Sequence, residues 1–350
     1  MSTELRELQE SARRVLGEQG LAADEARTWP LTLELGWLLV AVPEELGGLG
    51  QGLAGACAFH TEMGRNLAGA PYAAATLAID AVCQPGLADQ QRWVERLTGA
   101  EYVATPWVDS ALRIARAGAG KGRLSGLASA VPSADRATHL LVCTADEDRV
   151  ALVPLRQAGV ELTARPTWDA TRRLFDVRFS DVALEEPLLI AGGSAARALT
   201  RRLSTLRDFA LTADSVGGAE ALLEMTVEYL KTRRQFGRPL ALFQALKHRC
   251  ADLKALTAGA QALLADSLGR VEGRVDDAEA EGLARIAKVH ACSVYARVAE
   301  EALQLHGGIG MTSEHACHLF LKRALLNEQL GRPRGRDELE IAERFLARFS

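Results

Sequence analysis

A chain of 350 residues, 48% hydrophobic and 25% charged, has enough material for a large core and two or three structural units. Its formal net charge of -4 gives no general basis for binding nucleic acid. No apolar run reaches the roughly 18 residues of a transmembrane helix, so no membrane span is expected.

Residues 1–7 are polar and lack the apolar core of a signal peptide. The six cysteines (Cys57, Cys83, Cys143, Cys250, Cys292 and Cys317) are scattered and form no CxxC pair. That pattern fits reduced thiols in a cytoplasm better than a disulfide framework or a zinc site. Leu5, Leu8, Ala12 and Leu16 keep helical spacing, and an apolar run from Leu31 to Val42 ends in Pro43-Glu44-Glu45-Leu46-Gly47-Gly48-Leu49-Gly50, which forces a turn. A helix from about Leu53 to Leu67 follows, and another starts after Gly69-Ala70-Pro71-Tyr72. Residues 1–104 therefore read as a helical domain.

From about 105 to 190 the pattern changes to short alternating segments. Leu140–Cys143, Val150–Leu155 and Phe175–Val182 read as strands of a small sheet domain. From 191 to 350 helical periodicity returns in four long blocks: Leu206–Arg233, Leu240–Glu272, Asp276–His306 and Glu314–Leu330. The expected class is α+β, with an N-terminal helical domain, a middle β domain and a C-terminal four-helix bundle.

Two segments carry chemistry. Gln304-Leu305-His306-Gly307-Gly308-Ile309-Gly310 places paired glycines between two helices, where bare backbone approaches a ligand closely and free N–H groups can receive a phosphate oxygen. Arg233-Arg234-Gln235-Phe236-Gly237-Arg238-Pro239-Leu240, followed by Phe243-Gln244-Ala245, supplies guanidinium forks that match phosphate oxygens. His315 and His318 have helical i,i+3 spacing, but no carboxylate or cysteine pattern accompanies them, so no metal site is expected.

Together these segments resemble the acyl-CoA dehydrogenase family over nearly the whole chain. Residues 36–50 resemble its VPEEYGGLG turn, and Glu62-Met63-Gly64-Arg65 its ExGR helix. The resemblance implies an FAD-dependent α,β-dehydrogenation of an acyl-CoA thioester, with electrons leaving to an electron-transfer flavoprotein or a similar acceptor. It places Arg233, Phe236, Gln244, Gln304, Gly307 and Gly308 at positions that hold the diphosphate and adenine half of FAD. In the family the second segment reaches the flavin of a neighbouring subunit, which implies an oligomer.

The family reaction needs a carboxylate base facing the flavin. The usual position falls here on Gly331, and the alternative position on an earlier helix falls on Arg207, with Asp208 next to it. Asp214, in the apolar run Leu211–Gly217, and Asp208 remain as acidic candidates; an apolar setting would raise the Asp214 pKa. The segment matching the flavin-ring loop TEPGxGSD reads Ala104-Thr105-Pro106-Trp107-Val108-Asp109-Ser110, and the one matching WITN lies in Ser129–Asp135. The glutamate and glycines of the first and the tryptophan of the second are missing. The departures fall on the ring and base side, while the diphosphate side is intact. A heterotetramer subunit, resembling those of bacterial sterol side-chain degradation, accounts for this pattern. A self-sufficient homotetramer with an aspartate base and a flavin-free structural partner are the other readings.

Overall fold

The computed structural model describes residues 3–108, 111–117, 121–146, 148–184, 188–332 and 334–346. Five helices open the chain: α1 (Thr3–Glu18), α2 (Glu25–Glu34), α3 (Gly52–Arg65), α4 (Tyr72–Cys83) and α5 (Gln90–Gly99). Helix α1 lays Leu5, Ala12 and Leu16 on the core. The start of α2 is fixed by Asp24, whose side chain accepts the Arg27 N–H at 3.0 Å. In the turn before α3, Gly48 lies so close to Val42 that an added Cβ would stand 2.1 Å from the Val42 carbonyl oxygen, so only glycine fits.

The middle region holds β1 (Val103–Ala104), β2 (Arg113–Ala117), β3 (Lys121–Pro132), β4 (His139–Cys143), β5 (Arg149–Pro154), β6 (Val160–Arg165), β7 (Leu174–Ala183) and β8 (Leu189–Gly192). They form two four-stranded sheets, in the orders β1-β4-β5-β8 and β2-β3-β7-β6. Only the β1–β4 pair is parallel. Strands β4, β5 and β7 match the three expected. Strand β6 was not singled out although Val160, Leu162 and Ala164 alternate with polar residues; the run is short and its apolar side chains are at best half-buried. Strand β3 is rich in glycine and serine, and its pairing with β7 shifts register twice, which breaks the alternation.

The last part contains α6 (Ser194–Thr232), a two-residue pair β9 (Arg234–Gln235) and β10 (Arg238–Pro239), then α7 (Gln244–Val271), α8 (Ala278–His306), α9 (Cys317–Gln329) and α10 (Arg334–Leu346). This order of helices, sheets and helices is the expected α+β architecture. Helix α6 starts well before Leu206, because Ala196, Leu199 and Leu203 give it a further buried face against the middle sheet. Helix α10 was not expected. Its attachment is ionic rather than apolar: the buried Asp337 accepts from Lys288 of α8 at 3.1 Å, and Glu340 pairs with Arg285, Arg332 and Arg344.

Helices α3 and α6 cross at glycines. A Cβ on Gly64 would lie 2.0 Å from the Asp214 carbonyl oxygen, and one on Gly217 would lie 1.9 Å from the Thr61 carbonyl oxygen. The ExGR motif ties α3 to both neighbours, α1 through its glutamate and α6 through its glycine and arginine. Glu62 is wholly buried and accepts from Gln9 (2.8 Å) and Arg13 (3.0 and 3.1 Å), while Arg65 reaches Glu220 and Glu224 of α6. Gly217→Ala must push two backbones apart and is expected to cost ~3 kcal/mol or more. Gly259→Ala, on an exposed face of α7 with open space around it, should stabilise by ~0.5–1 kcal/mol. Urea unfolding of the two variants checks both signs.

Candidate functional site

The two glycine- and arginine-bearing segments meet at one end of the helical bundle. Helix α8 ends at His306 because Gly307 adopts a left-handed φ of 65°, and the chain turns through Gly307–Met311 before α9. Helix α6 ends one turn after Tyr229, where the Arg233 N–H donates to the Tyr229 carbonyl oxygen at 2.8 Å. Tyr229 joins the two ends: its hydroxyl donates to the His306 carbonyl oxygen at 3.2 Å, and its ring stacks on the His306 imidazole at 4.5 Å. Burial lowers the His306 pKa, which suits the neutral ring such stacking needs.

Arg233, Gln304, Gly307 and Gly308 are exposed, and open space surrounds both glycines. Arg233 makes no ion pair with a described residue, so its fork is available. Phe236 is 89% exposed at a left-handed φ of 53°, with its ring 6.0 Å edge-on to Phe243. The Arg238 guanidinium lies 4.0 Å over the Phe243 ring, and the exposed Gln244 opens α7. An uncompensated arginine, a bare glycine turn and a presented aromatic ring form a surface able to hold a diphosphate and a flat ring brought from outside.

The two candidate acids lie elsewhere. Asp214 is not in an apolar setting, and the raised pKa expected for it is corrected. Burial pushes its carboxyl up, but Arg323 and Arg172 outweigh that and, with hydrogen bonds from Arg323 and Asn327, hold it below the ordinary carboxylate range. Arg323 donates through Nη2 to Oδ2 at 2.5 Å and through Nε to Oδ1 at 3.2 Å; Asn327 donates at 2.8 Å; Arg172 Nη2 stands 3.1 Å away. These partners come from α9 and from the segment before β7, so no local pattern around Asp214 announced them. His315 and His318 form no metal cluster; none of three or more potential ligands occurs among the described residues.

Asp208 is also buried, and desolvation raises its pKa against the pull of Arg207 and Lys288. It adjoins Gly331: a Cβ there would be 3.3 Å from Asp208 Oδ1, 3.5 Å from Lys288 Nζ and 3.7 Å from Arg207 Nε. The two base positions read from the sequence thus converge at one point in space. Gly331 reaches it because its N–H donates to the Trp107 carbonyl oxygen at 2.7 Å and the turn pairs with Val108.

Trp107 is the residue the sequence reading undervalued. It is buried, its backbone N–H donates to the Ala130 carbonyl oxygen, and the Arg172 guanidinium lies 5.2 Å from its ring centre. The two middle-region segments compared with the ring loop and the WITN strand therefore touch. The cavity between them, walled by Trp107, Pro132, Ser133, Arg172, Asp214 and Arg323, measures about 30 Å³. That is room for a water or two. Asp109 and Ser110 of the first segment lie outside the described residues.

Because the folded Asp214 carboxyl is held below its unfolded value of ~3.9, its stabilisation is complete above that pH and fades as the pH falls further. Asp214→Asn leaves two buried arginines uncompensated and is expected to cost ~3–5 kcal/mol. Denaturant unfolding should find this difference constant from about pH 5 to 8 and shrinking below about pH 4.

Comparison with known proteins places the arrangement. Residues 2–101 match the acyl-CoA dehydrogenase N-terminal domain and residues 197–344 the acyl-CoA dehydrogenase C-terminal domain. The chain is 33% identical over 305 residues to acyl-CoA dehydrogenase IpdE2 of Mycobacterium tuberculosis, covering 86% of this chain and 81% of that protein. It is 31% identical over 315 residues to FadE27 of the same organism, covering 86% and 83%. The ChsE4-ChsE5 complex from Mycobacterium tuberculosis matches with a TM-score of 0.88 at 25% identity, over 99% of this chain and 98% of that one. Butyryl-CoA dehydrogenase from Megasphaera elsdenii shares the fold, with a TM-score of 0.88 at 19% identity over 99% of both chains. Both terminal parts match the family's domains, and the chain belongs to the acyl-CoA dehydrogenase family.

Proposed function

We propose that this chain is one subunit of a heteromeric, FAD-dependent acyl-CoA dehydrogenase and lends the diphosphate side of a flavin site to an unlike partner chain. The observation that carries this reading is the contrast between the chain's two half-sites. Between the segments that correspond to the family's flavin-ring walls, Trp107 and the Asp214–Arg323–Arg172 cluster leave about 30 Å³. A small-molecule site takes roughly 300–1,000 Å³. At the bundle end, Arg233, Phe236, Gln244, Gln304, Gly307 and Gly308 stay exposed and open.

The fit to FAD is therefore divided. The bundle end suits the diphosphate and adenine half, with Arg233 as a fork for phosphate oxygens and Gly307 and Gly308 as bare backbone. The middle region does not suit the ring of a flavin held by this chain itself. When bound, FAD supplies the hydride acceptor for oxidation of the acyl thioester. In this proposal the partner chain provides the ring pocket and the carboxylate base, and an electron-transfer flavoprotein or a similar acceptor re-oxidises the complex. The resemblance to the two-chain ChsE4-ChsE5 complex supports a heteromer. A steroid-derived acyl-CoA is the substrate class suggested by a further similar structure, the Tcur3481-Tcur3483 steroid ACAD, which matches with a TM-score of 0.86 at 26% identity.

One observation favours a second reading. Asp208 combines a raised pKa with a position beside Gly331, where the family base is expected. A self-sufficient homotetramer would use it. Two measurements separate the readings. In ours, the chain purified alone is colourless, flavin appears on co-expression with a dehydrogenase-like partner, and Arg233→Ala weakens flavin retention by the complex ~10-fold or more. Full flavin occupancy and turnover by the chain alone, abolished in Asp208→Asn, would establish the homotetramer instead.

A further inference from the structure

Behind the exposed Gly307–Gly308 turn, three helices meet at a pair of imidazoles. His306 ends α8, and His315 stands two residues before the start of α9. Their ring centroids are 4.2 Å apart. Tyr229 of α6 stacks on His306 at 4.5 Å and meets His315 edge-on at 5.9 Å. His306 is 4% exposed, and His315 is half-buried.

Hydrogen bonds fix the tautomer of each ring. His306 Nδ1 lies 2.8 Å from the Ala302 carbonyl oxygen, which can only accept, so Nδ1 carries the proton. Its Nε2 then holds the lone pair, and that atom is buried with no hydrogen-bond partner among the described residues. His315 is the opposite tautomer. The backbone N–H of Cys317 donates to its Nδ1 at 3.2 Å, so its proton sits on Nε2. That bond satisfies one of the donors left over at the start of α9. A further proton breaks either arrangement. On His306 it makes a buried N–H without an acceptor. On His315 it sets one N–H against another at the positive end of α9. Burial lowers the pKa of both rings, and at His306 the nearness of His315 lowers it further against the pull of the Ala302 bond. The titratable groups around the pair are Tyr229 from α6 and, from α9, His318 with Lys322 beside it. The carboxylates of these elements turn elsewhere: Glu228 to Lys231, Glu301 to Arg249 and Arg297, and Glu314 is exposed. The carbonyl end of α8 alone favours a cation, and burial outweighs it.

We propose that His315 is a positioning residue of the flavin half-site: paired with His306 as neutral rings, it holds the Gly307–Gly308 turn and Arg233 in place for the diphosphate, and protonation of the pair releases them. This rests on the flavin half-site of the proposed function. The Tyr229 hydroxyl donates to the His306 carbonyl oxygen at 3.2 Å, just before Gly307, and the Tyr229 carbonyl oxygen accepts the Arg233 N–H at 2.8 Å. The turn is also close against His306, since a Cβ on Gly310 would lie 3.0 Å from the His306 Cβ. A shift of His306 therefore carries Gly307 and Arg233 with it. Both rings titrate below the free value of ~6.5, so the joint is intact above that pH and is lost as the pH falls through the lowered values.

Two measurements test this. Long-range proton–nitrogen spectra of the full chain near neutral pH should show His306 protonated on Nδ1 and His315 on Nε2. Flavin retention by the complex of this chain with its partner, read from the FAD released on dilution, should weaken ~10-fold or more between about pH 7.5 and pH 5.5. His315→Asn keeps an acceptor for the Cys317 N–H, His315→Phe keeps a ring, and neither side chain titrates in this range. Both variants should make the pH profile shallower by ~3-fold or more, whatever they cost at the higher pH, whereas a merely structural role leaves the slope unchanged. The opposite tautomer on either ring, retention that is flat or tightens toward low pH, or a slope as steep as the wild type in either variant overturns the inference. A sample that holds flavin but shows a flat profile overturns this inference alone. Absence of flavin from both the chain and the complex at about pH 7.5 overturns the half-site reading and this inference with it. If the chain alone holds flavin, the same slopes are measured on it and decide in the same way.

Discussion

A buried ion pair, Asp214 with Arg323, is the interaction on which the rest of this structure depends. Asp214 sits on α6, Arg323 on α9, and the remaining donors of the pair extend the link. Arg323 Nη1 reaches the Ala68 carbonyl oxygen before α4 and the Thr171 hydroxyl before β7. Asn327 joins Asp214 to Ser215, which touches Cys292 of α8. Arg172 closes the circuit by donating to Asn327 at 2.6 Å. One pair therefore holds the N-terminal helices, the middle sheets and the bundle in register. Charges this deep are tolerated only when every neighbour is a hydrogen-bonding partner, and removal of any single member leaves the others costly.

In the proposed reading, the same circuit limits what the chain can bind. It fills the space between α6 and the Trp107 and Pro132 segments, where a flat cofactor ring would have to enter. Gly64 and Gly217 draw α3 against α6 at this level, so the space cannot widen without separating backbones. What is closed here is offset by what stays open at the far end of the bundle. There, Tyr229 clamps the ends of α6 and α8 together and presents Arg233 beside the Gly307–Gly308 turn. A third region, a cavity of about 330 Å³ beside Thr200–Arg207, lies on the other side of the circuit along α6.

Much of the fold was legible because its signals are local. Helices α7 and α8 show their periodicity, and the glycine turn after His306 marks its own boundary. The resemblance in the TRRQFGRP and HGGIG segments named the architecture before any element was placed. The departures at Gly331 and Arg207 were also legible, and the structure adds that they occupy a single point. Three things were not legible. Helix α10 docks through Asp337 and Glu340 while Leu339, Phe345 and Leu346 of its apolar stripe stay exposed, so the pattern in the sequence does not mark the face that packs. Strand β6 is a six-residue edge strand whose alternating Val160, Leu162 and Ala164 are at best half-buried, too short a signal to stand out. The environment of Asp214 is built by Arg172, Arg323 and Asn327, 42 residues before it and 109 and 113 after it in the chain. An apolar local window pointed to a raised pKa, and only the tertiary contacts show it lowered.

The central claim is that this chain holds half of a flavin site and no more. The most direct measurement is the flavin-to-polypeptide ratio of the native complex, from FAD absorbance against chain mass in a sample resolved by light scattering. The account predicts two unlike chains in equal number and one FAD for each such pair. A ratio of one FAD per polypeptide, in an assembly made of this chain alone, would contradict it.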